Sequence, residues 1–330
     1  MKKIAILDDY QDSVRQLACF RLLDGCEVKV FTNSARGLGQ LAIRLAEFDA
    51  LVLIRERTLL TAALMAKLPR LKLIAQTGRL GANVDLAAAT AAGIAVAEGH
   101  GDPTAPAELT WALVMAAMRK IPQYAGHLRN GHWQTASFHA SHNTLGSTLK
   151  GKTLGIWGYG KIGRLVAGYG KAFGMHVVVW GRDASRAMAA QDGYALAASK
   201  EALFADADVL SLHLRLHDNT RAIVTAEDLA RMKTSALLVN TSRAELIAPG
   251  ALQAALEQGR PGFAALDVFD NEPLASDSPL LRMDNVLATP HLGYVEQNSY
   301  ELYFRSAFEN IINFSQGRPS GIANPEVLQS

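Results

Sequence analysis

Nine residues, Gly155-Ile156-Trp157-Gly158-Tyr159-Gly160-Lys161-Ile162-Gly163, constrain this chain more than any others. Gly158, Gly160 and Gly163 form a G-x-G-x-x-G turn directly after an apolar strand pattern and directly before a helical one. A glycine at 158 permits the tight turn, one at 160 lets a pyrophosphate approach the backbone, and one at 163 lets helix pack on strand. The helix start then offers free N–H groups to an anion. A plain strand-to-helix turn can use the same glycines. The strand–turn–helix setting favours a dinucleotide site, with Tyr159, Lys161 and Ile162 in the turn.

The rest of the chain alternates in the same way. Before the turn, Ile4–Leu7, Val28–Phe31, Ala50–Ile54, Leu71–Ala75 and Ile94–Ala97 are strand-like, and residues 38–48, 59–68 and 84–92 are helical in composition. After it, strand patterns fit 153–157, 177–180, 209–213, 236–240, 263–268 and 286–288. Helical patterns fit 162–173, 200–204, 226–232 and 249–258, with a long one at 295–316. Continuous apolar strands separated by helices imply parallel sheets covered on both faces. Between the two series, Asp102-Pro103-Thr104 reads as a helix start with Thr104 as N-cap, and Pro122 as that helix's end. The expected fold is α/β, with two doubly wound parallel-sheet lobes. A Rossmann NAD(P)-binding domain (104–293) is expected to be inserted in a flavodoxin-like substrate domain (1–103 and 294–330).

Composition narrows the partners. The chain has 330 residues, 49% of them hydrophobic, and a formal net charge of +2. That is ample core for two domains and no electrostatic footprint for nucleic acid. The longest apolar stretch, Trp111–Met118, is far short of a membrane span. Two cysteines, no CxxC pair and no signal-peptide pattern make a cytoplasmic setting the expectation. His127, His132, His139 and His142 lack companion cysteines, so no metal is expected there.

The second lobe carries the chemistry. Arg243 follows the strand-like Leu238–Asn240, Glu272 lies after Asp267-Val268-Phe269, and His291 sits in Thr289-Pro290-His291-Leu292-Gly293. In doubly wound sheets ligands bind beyond the carboxyl ends of strands, so these three can converge. A planar carboxylate suits the bidentate fork of Arg243. An alkoxide needs a proton, for which His291 is the natural general acid, and the base in reverse. A neighbouring Glu272 favours the imidazolium and orients its ring. This is the equipment for hydride exchange between a nicotinamide and a small 2-hydroxy or 2-oxo acid. At the end of the strand after the turn, an acid that would hold the ribose is missing. Gly181-Arg182 stands there, leaving NAD and NADP open, with Arg182 suited to a 2′-phosphate and Asp183 still able to reach the ribose.

The motifs from Leu149-Lys150-Gly151 through Gly163, with Leu210–His213, Val239–Arg243, Ala265–Phe269, Glu272-Pro273 and Thr289–Gly293, resemble the D-2-hydroxyacid dehydrogenase family along nearly the whole chain. That resemblance implies Arg243 as carboxylate anchor and His291 with Glu272 as the acid/base pair. It implies that Asp267 holds the nicotinamide carboxamide, that His213, Thr241, Ser242 and Gly293 lie against the cofactor, and that the loop Gly78-Arg79-Leu80-Gly81 binds substrate through its backbone. It also implies a homodimer using the apolar helix around Thr110–Met118. The narrower alternatives are a D-3-phosphoglycerate dehydrogenase, or a non-catalytic dinucleotide-sensing protein of corepressor type. Tyr294, Tyr300, Tyr303, Phe304 and Phe308 read as core packing.

Overall fold

The computed structural model describes residues 1–329. It divides into two compact units: Met1–Asp102 together with the chain from Glu296 on, and Pro103–Val295.

In the first unit the order is β1 (Lys3–Ile6), β2 (Glu27–Val30), α1 (Leu38–Leu45), β3 (Ala50–Leu53), α2 (Ala62–Met65), β4 (Leu73–Gln76), α3 (Leu86–Ala91) and β5 (Ala95–Ala97). These strands form one parallel sheet in the order β2-β1-β3-β4-β5. All four residues of β3 and of β4 are buried, which is why β3 is wholly apolar and β4 is apolar up to Gln76.

The second unit opens with α4 (Thr104–Met118) and α5 (Ile121–Arg129). Its alternation runs β6 (Thr153–Trp157), α6 (Lys161–Ala172), β7 (His176–Trp180), α7 (Asp183–Gln191), β8 (Ala195–Leu196), α8 (Lys200–Asp206), β9 (Val209–Leu212), α9 (Ala226–Arg231), β10 (Leu237–Asn240), α10 (Ala251–Glu257), β11 (Phe263–Leu266) and β12 (Val286–Ala288). The parallel sheet is ordered β12-β11-β10-β9-β6-β7-β8. Successive residues of β10 feed opposite faces: Leu237 and Val239 join the core under α4 and α6, and Leu238 joins the core under α9 and α10. Each such leucine contributes roughly 1.5–3 kcal/mol by leaving water. The final helix, α11 (Gln297–Ser315), belongs to the first unit, where Tyr300, Tyr303, Phe304 and Phe308 are buried. Phe308 meets Phe20 edge-on at 6.2 Å.

Three expectations need correction. Thr104 is the first helical residue and Pro103 the N-cap, already in helical geometry (φ −79°, ψ −9°). Pro122 does not simply end α4; it lies in the first turn of α5, where a missing N–H costs nothing. Residues 126–150, whose His, Ser, Asn, Thr and Gly content predicts a loop-rich connector, are therefore helical as far as Arg129. The segment 183–196, for which the sequence pattern predicts no element, holds α7 and β8. No helix among the described residues is long and apolar enough to cross a membrane.

Candidate active site

In the second unit the chain leaves β6 in one direction for β7 and β8 and in the other for β9 to β12, so the sheet order reverses between β6 and β9. A crevice at the carboxyl ends opens at such a reversal, and the glycine turn lies there. Gly158 has φ +100°, and a Cβ on it would sit 2.6 Å from the His213 carbonyl oxygen. A Cβ on Gly163 would lie 2.1 Å from the Gly158 carbonyl oxygen. Neither position admits a side chain. Gly160 is different: it is exposed, extended (φ −92°, ψ −161°), and nothing lies within 4 Å of where its Cβ would be. As N-cap of α6 it offers no side-chain acceptor, so the first N–H groups of that helix are left without a side-chain cap. An open glycine cradle facing an uncapped helix start fits the pyrophosphate of a dinucleotide.

The flanking residues are less uniform. The Tyr159 ring is turned inward, its hydroxyl donating to Asp192 at 2.6 Å, so only its backbone is available at the turn. Burial pushes His213 down to about 4, leaving a neutral imidazole whose Nε2 meets Ser211 Oγ at 2.9 Å. Thr241 Oγ1 is 2.7 Å from Thr110 Oγ1 on α4, and Ser242 Oγ donates to the Leu212 carbonyl at 2.7 Å. Lys161 is exposed and Ile162 half-buried on the first turn of α6.

Arg243, Glu272 and His291 follow β10, β11 and β12, three adjacent strands. His291 Nδ1 and Glu272 Oε2 are 2.6 Å apart. Partial burial pushes the Glu272 carboxyl up, but the hydrogen bond and charge of His291, the Phe269 N–H and the charge of Arg243 outweigh it. Its pKa lies below the ordinary value, so at neutral pH Glu272 is a carboxylate and can only accept. The Nδ1 proton is thereby fixed, and Nε2 becomes the atom free to exchange one. Arg243 is close enough for its charge to act on Glu272, and its own Nη1 donates to the Ser242 carbonyl at 2.6 Å. Asn240 Nδ2 in turn donates to the Arg243 carbonyl at 2.8 Å, tying the arginine's backbone to the end of β10.

Asp267 lies just after β11. Its side chain is fully buried; Oδ1 accepts from Thr289 Oγ1 (2.6 Å) and Leu292 N (2.7 Å), and Oδ2 from Gly293 N (2.9 Å). In this chain the carboxylate brackets the loop that carries His291, whose backbone takes the left-handed φ of +53°. Burial pushes Asp267 up against the pull of these bonds, so holding the loop has an electrostatic cost. Sequence reasoning also undervalued Tyr294. It is 6% exposed, and its ring meets His291 edge-on at 5.5 Å. The available signal was its place on the same loop, three residues after the histidine.

Arg79, Leu80 and Gly81 belong to the first unit, on the turn after β4. Leu80 N donates to Glu98 Oε2 at 3.2 Å, Arg79 is exposed, and a Cβ on Gly81 would collide with the Glu56 carboxylate. The connector histidines contact rings: His127 stacks on Phe138 at 4.6 Å, and His139 on His142 at 4.8 Å.

Residues 111–293 match the model of the D-isomer specific 2-hydroxyacid dehydrogenase NAD-binding domain. The glyoxylate reductase of Aeropyrum pernix is 39% identical, over 86% of this chain and 85% of that one. The D-3-phosphoglycerate dehydrogenase of Methanocaldococcus jannaschii is 37% identical over 89% of this chain, which spans only 53% of that protein's length. Among solved structures, phosphoglycerate oxidoreductase from Vibrio cholerae matches with a TM-score of 0.92 and 53% identity, covering 96% of this chain and all of that one. This chain thus belongs to the D-isomer-specific 2-hydroxyacid dehydrogenases, oxidoreductases of the CH–OH group that use a nicotinamide dinucleotide.

Proposed function

We propose that Arg243, Glu272 and His291 perform the interconversion of a small D-2-hydroxy acid and its 2-oxo acid. When bound, the nicotinamide supplies or accepts the hydride. The Arg243 guanidinium clamps the substrate carboxylate and aligns the carbonyl carbon. As the carbonyl becomes an alkoxide, His291 Nε2 donates its proton to that oxygen; in the oxidative direction Nε2 takes the proton back. Glu272 holds the imidazole through Nδ1 and offsets the positive charge of the protonated ring. Asp267 acts through the loop it brackets, and Gly158–Gly163 with the start of α6 receive the pyrophosphate. Thr241, Ser242, His213 and Gly293 flank the dinucleotide. Either NAD or NADP fits this cradle.

The observation that carries the reading is the 2.6 Å bond between His291 Nδ1 and Glu272 Oε2, made by a histidine whose side chain remains 23% exposed. His291→Ala is expected to abolish turnover with 2-oxo acids while dinucleotide affinity, read by titration, changes less than about twofold. Turnover persisting in that variant removes the role assigned to His291. The names of the relatives supply two substrates to test first in a panel, glyoxylate and 3-phosphoglycerate. Exposed Trp133, Phe138 and Leu145 on the connector support pairing of two copies of the chain.

A further inference from the structure

The end of β7 has features that the hydride step does not use. Its last residue, Trp180, accepts the Gly158 N–H at 2.9 Å through its carbonyl, so residues 181–186 begin beside the glycine turn. An acid at position 181 would read the two hydroxyls of an adenosine ribose. The chain has Gly181 instead. A Cβ built there meets only Ser185 Cβ at 3.4 Å and Gly158 Cα and N at 3.9 Å, ordinary contacts. Sterics therefore do not demand glycine; what glycine removes is a negative charge.

Positive charge follows at once. Arg182 is the exposed N-cap of α7, a helix that starts with no side-chain cap. One turn on, Arg186 N donates to the Arg182 carbonyl at 3.0 Å, placing both arginines on one face of the first turn. The Arg186 guanidinium lies over the Trp180 ring, 4.9 Å from its centroid, and its Nε is buried with no hydrogen-bond partner among the described residues. Stacking fixes the fork without neutralising it, whereas an arginine whose role was purely structural would be expected to satisfy its buried N–H.

Resting on the reading of Gly158–Gly163 as a dinucleotide cradle, we infer that the cofactor is the 2′-phosphorylated dinucleotide. Its 2′-phosphate is held by Arg182 and by Arg186 braced on Trp180, and Gly181 keeps that site free of a repelling carboxylate. A phosphomonoester carries close to two negative charges at neutral pH and presents three acceptor oxygens to two arginine forks. Asp183, on the first turn of α7, is the one acid close by in sequence and the rival reader of an unphosphorylated ribose.

The test uses the whole protein and two probes, 2′,5′-ADP and 5′-ADP, followed by calorimetry, with kcat/KM for NADPH and NADH alongside. The wild type is expected to bind 2′,5′-ADP at least about tenfold more tightly than 5′-ADP. Arg186→Gln and Arg182→Gln should each erase about tenfold of that difference while leaving 5′-ADP affinity in place, which also controls for folding. Gly181→Asp, for which there is room, should reverse the NADPH/NADH ratio of kcat/KM. Equal binding of the two probes by the wild type overturns the inference. So does an equal loss of both probes in either arginine variant, or an NADH preference that Asp183→Asn abolishes. If neither probe and neither dinucleotide binds, the cradle reading falls as well, which separates that failure from a mere preference for NADH.

Discussion

The two units share a way of building a sheet and differ at the end where ligands bind. At the amino ends they are nearly interchangeable. In the first unit Asp49, just before β3, accepts the Lys2 and Lys3 N–H groups (2.8 and 3.0 Å) at the start of β1 and pairs with Arg70 at 3.0 Å. In the second, Asp208, just before β9, accepts the Thr153 N–H (2.8 Å) at the start of β6 and pairs with Lys233 at 2.9 Å. Both acids stitch the strand on one side of the order reversal to the strand on the other.

At the carboxyl ends the likeness stops. β1 runs into Asp8-Asp9, where Asp8 accepts Ser34 Oγ at 2.9 Å and the Thr58 hydroxyl, and Asp9 Oδ2 takes the Val14 N–H at 2.9 Å. The first unit fills its own turn with carboxylates. β6 runs into Gly158-Tyr159-Gly160, and the helix start that follows is left without a side-chain acceptor. One turn satisfies itself and the other is left for an anion from outside. The fold supplies the place; the residues of the turn decide whether it is a site.

The sharpest way to break this contrast is to make the second turn like the first. Gly160→Asp fits the extended backbone and the empty space around its Cβ. As an N-cap it is expected to stabilise α6 by a few tenths of a kcal/mol. The same carboxylate would repel the pyrophosphate, so dinucleotide affinity should fall about 100-fold or more. Thermal melting and dinucleotide titration on the one variant read both effects. A variant that binds as the wild type does would mean that the α6 start is not an anion site.

How far this contrast could be read in advance depended on where the physics is local. The glycine turn and the three strand ends were legible because each rests on a few consecutive residues. β3 and the three-residue apolar stretches of β1, β4 and β10 were legible because strands buried on both faces read as apolar runs. α7 was invisible since it is mostly small and polar and buries only Ala189, so no apolar stripe marks it. β8 is two exposed residues at the sheet edge, paired with β7. Pro122 misled because a proline that forbids a helix interior is welcome in a first turn. The bonds of Asp267 to the His291 loop are tertiary, and no spacing encodes them.

The amino-end stitches give the next effect in size. Burial alone would raise Asp49, but the Lys2 and Lys3 N–H groups and Arg70 outweigh it and hold the carboxyl at about 2. A depressed carboxyl stabilises the fold above its unfolded pKa, near 4, and that contribution is lost as pH falls from about 4 through about 2. Asp49→Asn should therefore cost about 2 kcal/mol at pH 7 and flatten acid unfolding in that window. For Asp208, burial is likewise outweighed, by the Thr153 N–H and Lys233, so its stability contribution has the same sign. Denaturant melts of Asp49→Asn and Asp208→Asn between pH 7 and pH 3 test whether the two stitches are equivalent. A cost at Asp208 with none at Asp49 would end the parallel.

The smallest effect tests whether the first unit's filled turn is purely structural. Asp9 is fully buried, with Oδ2 on the Val14 N–H and Oδ1 without a hydrogen-bond partner among the described residues. Asp9→Ala removes a helix-start acceptor, a loss of about 1 kcal/mol, but it also removes a buried oxygen that nothing satisfies, which offsets part of that cost. Asp9→Asn keeps an acceptor for Val14 while discarding the charge. Its stability should lie between those of the wild type and Asp9→Ala by urea melts. Dinucleotide affinity should be the same in all three proteins, because the turn that receives the cofactor is the glycine turn of the other unit. A fall in affinity on replacing Asp9 would show that the two carboxyl ends are not divided into one filled and one working site.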